Sequence, residues 1–560
     1  MTRRRLELTW VGKDVRPRLE PRILLEEPAH SHRAVKPGIT DNLLIHGDNL
    51  LALKALEQEY AGRVKCVFID PPYNTGSAFT HYDDGVEHSL WLSMMRDRLE
   101  VIRALLAPEG SLWITLDDNE HAYCRVLCDE VFGRGNFLAN VIWQKLHARN
   151  NSAQHFSTDH DNVLVYAKDR ARWVRNKVGR TAASDADFWN PDNDPRGEWR
   201  RSDLTAAKSY ADGRFEVVGP HGDRFAPRGN RWWSISRETF DELARDGRIW
   251  WGRTGRTFPF RKRFKSELGE LVPTTFWSHE DVGNNREAKQ ESAALFGRTN
   301  IFSTPKPERL IERSLLTATN PGDLVLHSFA GSGTTGAVAH KMGRRWIMAE
   351  LGDHAHTHIV PRLRKVCDGD DPGGVTEAVG WTGGGGFRTC RLAPSLLEKD
   401  RWGNWVVRKE YNGPMLAEAL CKLEGFTYAP SDTVYWQHGR STERDWLYVT
   451  TATLDRDQLQ ELSDEVGAER TLLVLCSAFR ADAGAFPNLT IKKIPRQLLD
   501  RCEWGRDDYS LAVPTTDDGS PVADAPAPAP DAVAPAAPVR RGRARRATTP
   551  APDGAAEGDA

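Results

Sequence analysis

PGDLVLHSFAGSGTTGAVAHKMGRRWIMAELGDH, residues 321–354, reads as a strand, a glycine-rich turn, a helix and a second strand that ends on Glu350. That alternation is the βαβ grammar of a parallel sheet covered by helices. Gly331 and Gly333 permit a tight turn and close approach of a ligand to the backbone, and the helix start behind them favours a negative group. An ATP-type phosphate loop would carry a lysine before its Ser/Thr; here Thr334 and Thr335 follow Gly333 directly. Glu350 lies 17 residues past Gly333, the spacing at which a strand-end acid accepts hydrogen bonds from ribose hydroxyls.

The same rhythm occupies residues 42–145: NLLIHGD, then LLALKALEQEY, then VKCVFID, then a helix with Leu92, Met95, Leu99, Ile102 and Leu106 on one face, then SLWITL. Its second strand runs into VFIDPPYNTG, residues 67–76. Proline has no N–H and a fixed φ, so the chain leaves the sheet there in a stiff, set direction. An exocyclic amine of a nucleobase is a poor nucleophile, because its lone pair is delocalised into the ring. The Asp70 carboxylate and the Pro71 carbonyl provide two acceptors for its two N–H bonds, which frees the lone pair, while Tyr73 offers a face for stacking a flipped base. Pro71 and Pro72 hold those acceptors in register.

Between the two βαβ halves, residues 146–300 lose that rhythm and gain Arg, Lys and Trp, as in RGNRWWSIS and GRIWWGRTGRTFPFRKRFKSE. This stretch is expected to be an insert, with Trp232, Trp233, Trp250 and Trp251 mostly in its core. Residues 396–513 show further strands and helices, suggesting a smaller α/β or α+β domain. The Pro/Ala-rich residues 514–560 lack bulky apolar side chains and are expected to be disordered; their RRGRARR cluster (540–546) is a weak phosphate contact or a solubilising tail. With 76 Lys plus Arg against 78 Asp plus Glu, polyanion binding must come from a local basic face. The eight cysteines form no CxxC pair, and Cys124 and Cys128 at helical spacing read as core. No signal peptide or membrane span is expected, and a cytoplasmic location follows. HAHTH (354–358) suggests a metal site, but alternating histidines on a helix do not share a face, so no metal is expected.

IDPPYNTG followed later by HSFAGSGTTG resembles the β class of amino-group DNA methyltransferases that use S-adenosylmethionine. GDNLLALKAL, HSLWLSMMRDRL, LDDNEHAY, EAKQE, TPKPERLIERSL and AELGDHAHTHIVPRL are similar to the modification (Mod) subunits of type III restriction systems. The resemblance implies a Rossmann-like methyltransferase sheet, with a catalytic half at 41–145, a target recognition domain at 146–300 and a cofactor-binding half at 301–395, preceded by an extension at 1–40. It implies N6-methylation of adenine in double-stranded DNA, alongside a restriction (Res) subunit or other defence proteins and as a homodimer. A related defence system such as DISARM is equally compatible. By the same resemblance Asp70, Pro71, Pro72 and Tyr73 are catalytic. Phe329, Gly331, Gly333, Thr334 and Glu350 hold the cofactor, Asp48 meets its adenine amino group, and Thr304 and Lys306 lie beside its methionine. His327 stands where the family commonly has an Asp that fixes the methionine amino end. Cytosine-N4 methylation and a catalytically inactive recognition subunit are the alternatives.

Overall fold

The computed structural model describes residues 7–74, 88–180, 182–209, 211–299 and 301–510. Thr75 and Gly76 of the DPPY stretch, and the expected tail with its RRGRARR cluster, lie outside the described residues.

An 11-stranded sheet organises the chain. In chain order its strands are β1 (Leu24–Glu26), β2 (His32–Arg33), β3 (Asn42–His46), β4 (Val64–Ile69), β5 (Leu106–Leu116), β6 (Phe137–Gln144), β7 (His160–Ala167), β8 (Phe276–Trp277), β9 (Leu324–His327), β10 (Arg345–Glu350) and β11 (Gly386–Leu392). They lie side by side as β1-β11-β3-β10-β9-β4-β5-β7-β6-β8, with β2 on β11. From β11 to β5 the pairs are all parallel. β7 then runs antiparallel between β5 and β6.

Side chains alternate across the strands, so each face has its own core. Val67, Ile69, Leu112, Ile114, Leu326 and Ile347 pack under helices Asn49–Tyr60 and His88–Leu105. Cys66, Phe68, Trp113, Val325, Trp346 and Met348 point the other way, toward helices Glu308–Ala318, Thr334–Lys341 and Val360–Asp368. Cys124 and Cys128 are fully buried in the first of these cores.

This layout places a crevice. β4 connects forward to its neighbour β5, whereas β9 connects to β10 on its other side, and β4 and β9 are themselves adjacent. Their crossovers therefore depart in opposite directions, and ligands of open α/β sheets bind beyond the carboxyl ends at such a switch point. The DPPY turn leaves β4 there, and the glycine loop leaves β9 there.

The expected boundaries shift in three places. Within 146–300, β7 and β8 belong to the main sheet, because NVLVYA is an apolar run that pairs beside β5; the longest excursion from the sheet is 168–275. In that segment Trp199–Ser202, Phe260–Phe264 and Ile249–Trp250 form a three-stranded antiparallel sheet. Trp233 is buried, Trp250 packs on Trp189 and Trp199, Trp251 packs on Phe225 and Phe240, and Arg214 lies over Trp232. The expected N-terminal extension supplies β1 and β2 to the sheet edge. Leu106, expected on a helix face, instead opens β5, still fully buried.

After β11 a second, five-stranded sheet (Thr427–Tyr428, Gly439–Arg440, Asp445–Val449, Thr471–Cys476, Leu489–Lys493) carries helices Gly413–Glu424 and Arg456–Val466. Among the described residues no helix is long and apolar enough to cross a membrane.

Candidate active site

The crevice is a cavity of about 410 Å³ shared by the two loops. Asp70, Pro71, Pro72 and Tyr73 line one side, and Phe329, Gly331 and Thr334 the other. Thr304, Lys306 and Phe302 complete the wall.

The DPPY turn is pinned at Asp70, Pro72, Tyr73 and Asn74 by partners from other elements. Asp70 Oδ1 accepts the Thr115 hydroxyl at 2.6 Å, from the adjacent end of β5. Its Oδ2 pairs with Lys306 Nζ at 2.5 Å, and the same ammonium lies 5.0 Å from the centre of the Tyr73 ring. The Pro72 carbonyl accepts the indole N–H of buried Trp91 at 2.8 Å. Tyr73 donates its hydroxyl to Asp161 Oδ2 at 3.3 Å, and Lys145 holds the other Asp161 oxygen at 2.6 Å. Burial first, then the charges of Asp161 and Asp70, push the Tyr73 phenol well above its ordinary value, so it stays a neutral donor. Asn74 takes a left-handed φ of +58° and donates to buried Glu120 at 2.6 Å, which ends the turn.

The glycine loop is built by Glu350. One of its oxygens accepts Gly331 N–H at 2.7 Å, the other accepts Leu351 and Gly352 N–H at 2.9 and 3.1 Å, and His354 pairs with it at 3.0 Å. Burial opposes ionisation of Glu350, but His354 and the Gly352 and Gly331 amides outweigh it and hold the carboxyl below its usual range. Gly331 and Gly333 have φ of +56° and +75°, conformations that other residues adopt only with strain. Thr334 caps the loop from inside: its hydroxyl meets Ser332 at 2.9 Å and accepts Arg362 at 2.8 Å.

Gly333 and Glu350, expected at the cofactor, do not line the cavity, Glu350 lying 2% exposed behind the loop it holds, and two further expected contacts have other partners. Asp48 is not brought to the cavity: it caps helix Asn49–Tyr60 through Leu50 and Leu51 N–H, and its second oxygen accepts Tyr509 N–H at 2.9 Å, leaving it 1% exposed. The pattern Asp-Asn-Leu-Leu at a helix start is an N-cap, and that local use wins here. Lys306 lines the cavity but pairs with Asp70. His327 ends β9 with its Nδ1 accepting Phe329 N–H at 3.2 Å and its ring edge-on to Phe68. Burial pushes it down to about 4 against the opposing charges of Asp70 and Glu350, so the cavity wall is a neutral imidazole at physiological pH.

Thr115, Asp161, Lys145 and Trp91 were not foreseen. Thr115 was legible in principle, since it sits near the end of SLWITL with its side chain set by strand alternation. Asp161 was hidden by the assignment of its strand to the insert.

The HAHTH histidines diverge as their spacing predicts: His354 goes to Glu350, His358 packs on Phe296 and Phe302, and His356 turns to His30 and His46.

The chain is 30% identical over 363 residues to the Mod subunit of the type III restriction-modification enzyme StyLTI of Salmonella typhimurium, covering 59% of this chain and 55% of that one. It is 29% identical over 403 residues to the EcoPI Mod subunit of Escherichia phage P1, with 60% of each covered. It is 28% identical over 327 residues to the type II methyltransferase M.EcaI of Enterobacter cloacae, with 55% and 66% covered. The chain spans about half the length of the first two type III Mod relatives it matches. Among solved structures, the cytosine-N4-specific PvuII DNA methyltransferase aligns over 59% of this chain and 90% of that one, at 17% identity and a TM-score of 0.33, too low to bear on the reading. A DNA methylase family model, N6/N4 type, matches residues 64–361, from the start of β4 through the DPPY turn, the glycine loop and Glu350. That match takes in more than half of the chain, which belongs to the N6/N4 DNA methylase family.

Proposed function

We propose that the chain transfers a methyl group from S-adenosylmethionine to N6 of an adenine flipped out of double-stranded DNA, as the modification component of a restriction or defence system. The observation that carries this reading is the meeting of the Asp70–Tyr73 turn and the Phe329–Thr334 loop in one cavity.

The residues present fit the cofactor. Two left-handed glycines keep the loop free of side chains, Gly331 N–H is anchored on Glu350, and Phe302 and Phe329 give the cavity an apolar wall. Phe329, Gly331, Gly333, Thr334 and Thr304 would hold the cofactor, with Glu350 at its ribose. When bound, S-adenosylmethionine supplies a methyl group on an electron-poor sulfonium sulfur. Gly333→Asp is expected to weaken its binding roughly tenfold or more, by backbone strain of the order of 1–3 kcal/mol. A Cβ at Gly333 would also stand 2.9 Å from the Ile359 side chain. Titration calorimetry reads this directly, and unchanged affinity would contradict the assignment of the loop.

The chain's own part is positioning. A carboxylate has about four acceptor sites; Thr115 and Lys306 use two of those on Asp70, leaving acceptors for an amine N–H. The Pro71 carbonyl is the second acceptor. Trp91, by holding the Pro72 carbonyl, fixes the direction in which Pro71 points. The Tyr73 ring stacks on the extruded base, worth about 1–3 kcal/mol per base.

The loop 145–159 between β6 and β7 starts at the cavity wall with Lys145 and Leu146 and carries Arg149 and Phe156, the latter 92% exposed. An exposed aromatic on a loop that starts at the cavity wall suits contact with the opened duplex, and the basic segment 168–275 is the proposed target reader. The names of the Mod relatives support a separate restriction partner, and a homodimer and a cytoplasmic setting go with the same reading.

The test is nucleoside mass spectrometry of DNA treated with the purified protein and labelled cofactor. N6-methyladenine is expected. N4-methylcytosine would overturn the choice of base, and no labelled nucleoside would overturn the activity.

A further inference from the structure

Four polar side chains from three distant parts of the sequence converge at the edge of the main sheet, outside the cavity. Glu27 follows β1, His30 lies in the turn before β2, His46 ends β3 and His356 lies in the helical segment Ala355–Ile359 after β10. The His30 and His356 rings are 4.1 Å apart between centroids, and those of His46 and His356 4.5 Å. His30 Nδ1 is 3.5 Å and His356 Nε2 3.7 Å from Glu27 Oε2, and His46 Nδ1 is 3.0 Å from His356 Nε2.

Two observations set this cluster apart from ordinary surface packing. One ligand atom each from Glu27, His30 and His356 falls within 4.8 Å of the other two, an arrangement suited to a metal ion. Glu27 Oε2, His30 Nδ1 and His356 Nδ1 are also shut off from solvent without a hydrogen-bond partner. Buried polar atoms are nearly always satisfied, and the unsatisfied Glu27 Oε2 and His30 Nδ1, 3.5 Å apart, point to a missing partner common to both.

We propose that Glu27, His30 and His356 bind one divalent transition-metal ion of the zinc type, with the fourth position left to solvent. Ligand atoms about 2.0–2.2 Å from zinc stand roughly 3.3–3.6 Å from one another in a tetrahedral site, close to the 3.5 and 3.7 Å that separate Glu27 Oε2 from His30 Nδ1 and His356 Nε2. Imidazole-rich sets select zinc, nickel, copper or cobalt, whereas magnesium and calcium require oxygen donors. The His30 side chain is 41% exposed, which gives an ion a path in from solvent. The site fastens the β1–β2 turn to the helical segment Ala355–Ile359 that follows Glu350, and it takes no part in methyl transfer. Single-helix spacing could not reveal it, because only His356 of the HAHTH run contributes.

The metal-stripped full chain is to be titrated with zinc chloride, and separately with cobalt chloride followed by visible absorption. Expected are one more tightly bound equivalent than in the His30→Ala/His356→Ala double variant, a tetrahedral cobalt spectrum, and a rise in melting temperature with zinc but not with magnesium chloride. Glu27→Gln keeps the ring packing and is expected to weaken zinc binding at least tenfold, so it carries the test should the double variant misfold. Equal zinc stoichiometry and affinity in wild type and Glu27→Gln, or no bound equivalent in the wild type, overturns the proposal.

Discussion

Asp70→Ala is expected to slow methyl transfer by roughly 10²–10³-fold or more, the range seen when one preorganised group aimed at a reacting centre is removed, while cofactor affinity stays within about twofold. The asymmetry follows from the geometry. Asp70 is on the base side of the cavity, whereas the cofactor loop is held by Glu350, Arg362 and its own glycines. One complication needs a control, because Asp70 also neutralises Lys306, and its removal leaves that ammonium facing the cavity unpaired. Lys306→Met separates the two effects: if the lost rate came from an unpaired cation, the double variant Asp70→Ala/Lys306→Met would recover it. The reading requires that it does not, since the missing acceptor for the amine is missing in both. Single-turnover rates together with calorimetric cofactor affinity decide the matter, and a wild-type rate in Asp70→Ala would remove the DPPY turn from the mechanism.

Features carried by a few adjacent residues were legible in the sequence. Prolines at a strand exit, glycines between a strand and a helix, and an acid at the next strand end each act through local backbone preference, and the structure sets them where that grammar implies. Their meeting across the switch point depends only on β4 and β9 being neighbours. What stayed hidden depends on pairs far apart in the chain. Asp48 looks like a ligand contact until Tyr509, 461 residues away, supplies the N–H that occupies its second oxygen. The Lys306–Asp70 pair spans 236 positions and the His46–His356 contact 310. No periodicity encodes such contacts. β7 was missed for a different reason: an antiparallel strand entering a parallel sheet breaks the βαβ rhythm, so it reads as the beginning of an insert.

The second large effect concerns stability, and through it the cofactor loop. Glu308, 1% exposed, opens helix Glu308–Ala318 and accepts Arg362 at 2.8 Å, Lys341 at 2.9 and 3.0 Å and Val375 N–H at 3.0 Å. Burial alone would raise its carboxyl, but Arg362 and Lys341 overcome that and hold it below the usual range. Removing one partner of a buried charge network leaves the others desolvated and uncompensated, at a cost of about 3–5 kcal/mol. Glu308→Ala is therefore expected to lower the urea midpoint of the full chain by an amount equivalent to that range. Lys341 retains Asp371 at 2.7 Å, so the orphaned group is chiefly Arg362. That guanidinium is also the donor to Thr334 Oγ1 and Ser332 O in the glycine loop, so its displacement should weaken cofactor binding as well. Glu308→Ala/Arg362→Met provides the discriminating measurement. With both charged partners replaced, stability should return in part, because the uncompensated cation is gone, whereas cofactor affinity should not, because the loop still lacks its donor. Parallel recovery of both properties would mean that Arg362 acts on the loop only through global stability, and an unchanged midpoint in Glu308→Ala would mean that the network is not under the electrostatic constraint its burial implies.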